Sequence, residues 1–141
     1  MARVAILVDL AFFLFRYRSL VEDSSEPPHS PKEVARALWQ TALKHVDRRG
    51  GEELYRMLVY DCRPLEKKAH NPVTKKAIDF KKTSAYEFRM ALHHELVCLR
   101  KVALRLGELH DGRRWRIKAD ATERLLRGEI AIADLRESDV E

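Results

Sequence analysis

Cysteine is scarce: the 141-residue chain has two, Cys62 and Cys98. Their separation fits neither a metal knuckle nor a disulfide scaffold, so a reducing, cytoplasmic compartment is the expectation. Long apolar runs are lacking too. No stretch approaches the roughly 20 residues of a membrane span, and Asp9 interrupts the apolar N-terminus, where no small-residue cleavage site follows. There is no internal repeat, no low-complexity tract and no Gly-rich phosphate loop. No Ser or Cys nucleophile stands beside a recognisable base. With these classes set aside, the composition is that of one globular domain spanning 1–141, with 45% hydrophobic and 35% charged residues.

Charge is the uneven quantity. The net value is +5, yet residues 1–62 are neutral, 63–82 carry +5, 100–127 carry +5 and 128–141 carry −4. Clustered basic charge points to a phosphate-bearing partner, with RNA the expected one and no membrane.

The run Val4-Ala5-Ile6-Leu7-Val8 ends on Asp9. It reads as a strand buried on both faces, of the kind found in parallel sheets covered by helices. The segment Leu10–Val21, dense in Phe and Tyr, reads as a helix packed on that sheet. Ser30-Pro31-Lys32-Glu33 is a capping box with Pro at the first helical position, and opens a second helix that Gly50-Gly51 ends. His45 falls near the end of that helix. Leu54–Asp61 reads as the next strand, parallel to the first through a crossover. Asp9 and Asp61 then both lie at carboxyl ends, where such sheets bind ligands. Adjacent strands are about 4.8 Å apart, so the two carboxylates can approach and share a cation.

Residues 62–83 read as a long surface loop carrying Lys75, Lys76, Lys81 and Lys82. Thr83 or Ser84 caps a third helix, with one stripe at Phe88, Leu92, Leu96 and Leu99 and a second at Tyr86, Met90 and Val97, which predicts cover on two sides. His94 and Cys98 on that helix have a spacing suited to one metal but lack a further ligand set, so ordinary helix positions are expected. Val102–Leu106 and Arg114–Lys118 flank His110-Asp111-Gly112-Arg113, a hairpin signal whose exposed faces carry Arg105, Arg114 and Arg116. A short helix through Leu125-Leu126 follows, stopped by Gly128.

Val4–Asp9 with Phe12-Phe13, then Tyr60-Asp61 with Pro64, resemble the opening of NYN-domain proteins of the PIN-like nuclease superfamily. His70-Asn71-Pro72, Ile78-Asp79-Phe80, Phe88-Arg89, Leu92-His93 and Val102–Gly107 follow in fitting order and spacing. The resemblance implies a doubly wound α/β fold with a parallel sheet flanked by helices, and a metal-dependent endoribonuclease. Its metal, Mg²⁺ or Mn²⁺, is held by acidic residues at strand ends. Of that site Asp9 carries over by resemblance, and Asp61 is its neighbour on geometric grounds; both are the catalytic and metal-ligand candidates. Lys75, Lys76, Lys81, Lys82, Arg105, Arg114 and Arg116 are the candidates for holding RNA.

Two departures stand out. Leu10 occupies the place of the family's Gly after the first Asp, and the later Gly-Asp-Ser-Asp type segment is absent. The expectation is therefore an incomplete NYN-like sheet with an added hairpin. The alternatives to an enzyme are a non-catalytic RNA-binding module or a split half needing a partner chain. With its C-terminal strands lacking, Val4–Val8 is expected to have one open edge. A homodimer, aggregation or a second polypeptide completing the sheet should follow.

Overall fold

The structure, a computed structural model, describes residues 1–21, 29–110, 112 and 114–141. It is α/β and divides into two compact units, residues 1–65 with 83–109 and residues 66–82 with 110–141.

The first unit is built on a three-stranded parallel sheet. β1 (Ala2–Asp9) runs beside β2 (Glu52–Cys62), and β2 beside β5 (Val102–Gly107). Between β1 and β2 lie α1 (Leu10–Val21) and α2 (Pro31–Leu43); α3 (Ser84–Val97) precedes β5. All three helices bury their stripes on one face of the sheet. Leu10, Leu14, Val34, Leu38, Leu92 and Leu96 pack with Met57 and Val59, and Ile6, Val8, Val102 and Leu104 close the layer.

Each helix has a local reason to form. Positions 10, 13, 14 and 17 of α1 share one side, so Leu10 and Leu14 are buried while Phe12 and Phe15 stay in solvent. In α2 the capping box forms as expected: the Glu33 amide donates to Ser30 Oγ at 3.3 Å and the Ser30 amide donates to Glu33 Oε2 at 2.7 Å. That pairing holds the Glu33 carboxyl below its ordinary value. α2 stops at Leu43, ahead of the glycines. The turn after it brings the Gly50 amide to Asp47 Oδ1 at 2.9 Å. A Cβ on Gly50 would lie 2.4 Å from Asp47 Oδ2, so a side chain there would displace the Asp47 carboxylate. His45 is exposed in this turn. In α3, Thr83 Oγ1 accepts from the Tyr86 amide at 3.2 Å, and the stripe Phe88, Leu92, Leu96, Leu99 faces the core. The second stripe is covered only in part: Tyr86 is half-buried, whereas Met90 and Val97 are exposed. His94 and Cys98 are exposed as well, as ordinary helix-surface and helix-end positions.

β1 departs from the expectation of burial on both faces. Its burial alternates: Val4, Ile6 and Val8 turn to the helices, and Ala5, Leu7 and Asp9 to solvent. On that open face Leu7 is 65% and Tyr60 45% exposed. The run is apolar throughout because both faces carry apolar residues, not because both are covered. Among the described residues β1 has a strand neighbour on one side only, so it is an edge strand.

The expected hairpin between Val102 and Lys118 does not form. Val102–Gly107 pairs in parallel with β2 and finishes a second crossover. Arg114–Lys118 forms no strand beyond a single bridge between Ile117 and Val140. Packing Val102 and Leu104 under α3 outweighs the local Asp-Gly turn preference, and Asp111 itself lies outside the described residues.

The second unit replaces much of the expected loop. β3 (Lys68–His70) and β4 (Ala77–Asp79) form an antiparallel hairpin, followed by a one-turn 3-10 helix, Phe80–Lys82. α4 (Ala119–Leu126) buries Ala121, and Gly128 past its end has φ +71°, the left-handed conformation glycine tolerates. Arg116 and Glu141 exchange two backbone hydrogen bonds at 2.8 and 2.9 Å, pairing Arg114–Lys118 with the C-terminal residues.

Candidate functional site

Asp9 closes β1 and opens α1. Its Oδ1 accepts the Phe12 amide at 2.9 Å, which makes it the N-cap of α1. Leu10, in the position where the resembled family has Gly, is fully buried beneath the helix and crowds nothing in solvent.

Asp61, expected to close its strand, is the penultimate residue of β2 and faces α3. Its Oδ2 accepts from His93 Nε2 at 2.6 Å and from Arg89 Nη1 at 3.0 Å. The Asp61 and His93 side chains are 8% and 7% exposed. Because the acceptor is a carboxylate, His93 Nε2 carries the proton. Burial pushes the Asp61 carboxyl up. The His93 hydrogen bond, the Cys62 amide and the Arg89 charge outweigh it and hold the group below its ordinary value. Arg89 and His93 are four apart on α3, so one turn of helix presents both donors to the strand end. The cluster fastens α3 to β2.

Asp9 and Asp61 are therefore on neighbouring strands, as expected, yet do not converge. The reason is one residue. The register runs Val4 opposite Leu54 and then Ala5 opposite Arg56, so Tyr55 is an extra residue on β2. Without this bulge Asp9 would face Val59, and Asp61 would share its side of the sheet. With it, Asp9 faces Tyr60, and strand alternation turns Asp61 to the opposite face. The bulge also lets Leu54 and Met57, three apart, both enter the core. Among the described residues no group of three or more His, Cys, Asp or Glu is placed to hold a metal ion.

The basic candidates are divided between the two units. Lys75 and Lys76 are in the turn joining β3 to β4, which Asn71 organises. Asn71 is 1% exposed. Its Oδ1 accepts the Val73 and Thr74 amides at 2.9 and 3.2 Å, while its backbone amide donates to the Lys76 carbonyl and its carbonyl accepts the Lys75 amide, both at 2.9 Å. Lys75 takes the left-handed conformation, φ 60°, that closes the turn. Lys81 and Lys82 follow on the 3-10 helix, where Lys81 meets Glu66 at 3.7 Å on an exposed surface. Arg114 and Arg116 are exposed on the same unit. Arg105 belongs to the first unit, opposite Tyr60 on the open face of the sheet.

A cleft of about 560 Å³ lies at the other end of the strands, lined by Trp39, Arg48, Glu52, Arg100 and Lys101. There Lys101 donates to Glu53 at 2.9 Å and also to the Leu54 carbonyl, and Trp39 Nε1 donates to the Arg100 carbonyl at 3.3 Å. These bonds join α2, β2 and the turn before β5.

Sequence reasoning missed the Asp61–Arg89–His93 cluster. The available signal was the Arg and His spaced by four beside the apolar stripe of α3, which a strand-end carboxylate can satisfy. No helix among the described residues is long and apolar enough to cross a membrane. No family model matches the chain, and no curated protein or solved structure matches it either.

Proposed function

We propose that this chain is one half of a doubly wound, PIN-like domain of the NYN type that binds RNA without cutting it. Helices on one face of a three-stranded parallel sheet, in the order β1-β2-β5, are what half of such a fold contains. The observation that carries the binding role is the Asn71 turn. It holds Lys75 and Lys76 on an ordered hairpin in solvent, with Lys81 and Lys82 just beyond it in the chain. Lysines carried on an ordered turn meet phosphates with less backbone ordering left to accomplish than those of a floppy loop.

A resident Mg²⁺ or Mn²⁺ does not fit the residues present. Asp9 uses one carboxylate oxygen to cap α1, and Asp61 is engaged by Arg89 and His93 on the other face of the sheet. Hard cations take six or more oxygen ligands, and an arginine beside the carboxylate repels them. Among the described residues metal-dependent cleavage therefore has no assembled site.

The test is RNA binding to the whole chain across a range of salt. Each phosphate contact contributes about 0.7 to the salt slope for a single strand. Lys75→Ala with Lys76→Ala should weaken binding and flatten the slope by roughly that amount per lost contact. Salt-independent affinity, or a slope unchanged by the double substitution, rejects the hairpin as the binding surface.

A further inference from the structure

We infer that two copies of this chain associate through the outer edge of β1, antiparallel, with Ile6 on the twofold axis. The inference does not depend on RNA binding. Among the described residues no strand pairs with the outer edge of β1. Val4–Val8 carries no charge, Pro or Gly, the features that usually blunt an edge.

What selects a second copy is the placing of the two charges that bracket the run. Arg3 and Asp9 are equally far from Ile6 and lie on the same face as Ala5 and Leu7 by strand alternation. A twofold axis through a strand makes the pairing antiparallel and isologous. With Ile6 opposite Ile6, Val4 meets Val8, Ala5 meets Leu7 and Arg3 meets the partner's Asp9, twice per dimer. Directly opposite residues share a face, so both ion pairs form on the open side. Sliding by two residues sets each charge against an apolar residue or leaves it unpaired. Sliding by one sets the core-facing residues of one copy beside the open face of the other.

Among the described residues neither side chain is held in an ion pair. Asp9 caps α1 through Oδ1, leaving Oδ2. Arg3 neighbours Glu53 across the sheet and its charge acts on that carboxylate, but the hydrogen-bonded partner of Glu53 is Lys101 at 2.9 Å, which leaves the Arg3 donors available. The product is a continuous six-stranded sheet, β5-β2-β1 joined to its symmetry mate, in which the open β1 edge of each copy disappears.

Sedimentation of the full chain over a range of concentrations should give a monomer–dimer equilibrium. Arg3→Glu, at an exposed position, places like charges opposite each other twice and should weaken the dimer by at least about tenfold. The register has its own readout. In a background with Cys62→Ser and Cys98→Ser, a chain with Ala5→Cys should oxidise readily to one with Leu7→Cys, since opposed residues on paired strands fall within disulfide reach. Each chain alone should crosslink far less. Circular dichroism matching the parent checks that the variants fold. A monomer at every concentration overturns the inference, as do aggregates with no discrete dimer. So does a dimer that ignores Arg3→Glu or fails to favour the mixed crosslink.

Discussion

Asp61 takes a formal charge into a site where its side chain is 8% exposed, and two donors from α3 compensate it. Removing one member of such a cluster leaves the others short of a partner, so Asp61→Asn should destabilise the fold by about 3 kcal/mol at pH 7. The sign of the pH dependence follows from the direction of its shift. The folded carboxyl lies below the ordinary value of 3.8, so its contribution is present above that pH and lost as pH falls through the folded value. Urea unfolding of both proteins at pH 7 and near pH 3 should show the gap narrowing in acid. A gap independent of pH would mean that the carboxylate charge does not fasten α3. Asp9 makes a contrasting case. As a helix cap, Asp9→Ala should cost about 1 kcal/mol, whereas Asp9→Asn, an equally good cap, should cost little. Calorimetric titration of Mg²⁺ or Mn²⁺ should find affinity no tighter than about millimolar for a site so poor in oxygen ligands. Micromolar binding unchanged by Asp9→Asn would locate a metal site elsewhere.

At the scale of elements, the Asn71 turn couples stability to the proposed function. Asn71→Ala leaves the Val73 and Thr74 amides without their acceptor, at a cost of about 1–3 kcal/mol. RNA binding should then fall although both lysines remain, and the hairpin amides should lose protection from hydrogen exchange. Unchanged binding would mean that the lysines act without the turn. What was legible in the chain divides along this same line of local against distant causes. The capping box at Ser30 and Glu33, the helix over Leu10–Val21 and the Thr83 cap are local features, and each formed where its residues stand. β3 and β4 have three residues each, too few to show alternation, so they were hidden in what reads as a loop. The pairing of Val102–Gly107 with β2 rather than with Arg114–Lys118 is set by the sheet and by α3, both distant in sequence. The candidate carboxylates were found in the right place, at neighbouring strand ends. Their parting was not legible because it rests on one bulged residue, Tyr55, whose position only the register reveals.

On the scale of the whole molecule, the described residues give the sheet of the first unit a core on one side only, and the two sides should respond differently to the same substitution. Met57 is fully buried between β2 and the helices, so Met57→Ala should cost about 3 kcal/mol through lost transfer energy and a cavity. Leu7 lies on the other face at 65% exposure, and Leu7→Ala should cost less than about 0.5 kcal/mol. Joining two half-sheets at β1 keeps this asymmetry, because edge pairing extends both faces without covering either. The comparison therefore separates two ways of completing the sheet. If copies meet edge to edge, Leu7→Ala stays nearly neutral in urea unfolding at dilute and at concentrated protein alike. If a layer instead settles over Ala5, Leu7, Leu58 and Tyr60, Leu7→Ala acquires a cost approaching that of Met57→Ala, and the cost grows with concentration when the layer is another copy. Equal sensitivity on the two faces in dilute solution would mean that the sheet is covered on both sides, and the half-domain reading would then be wrong.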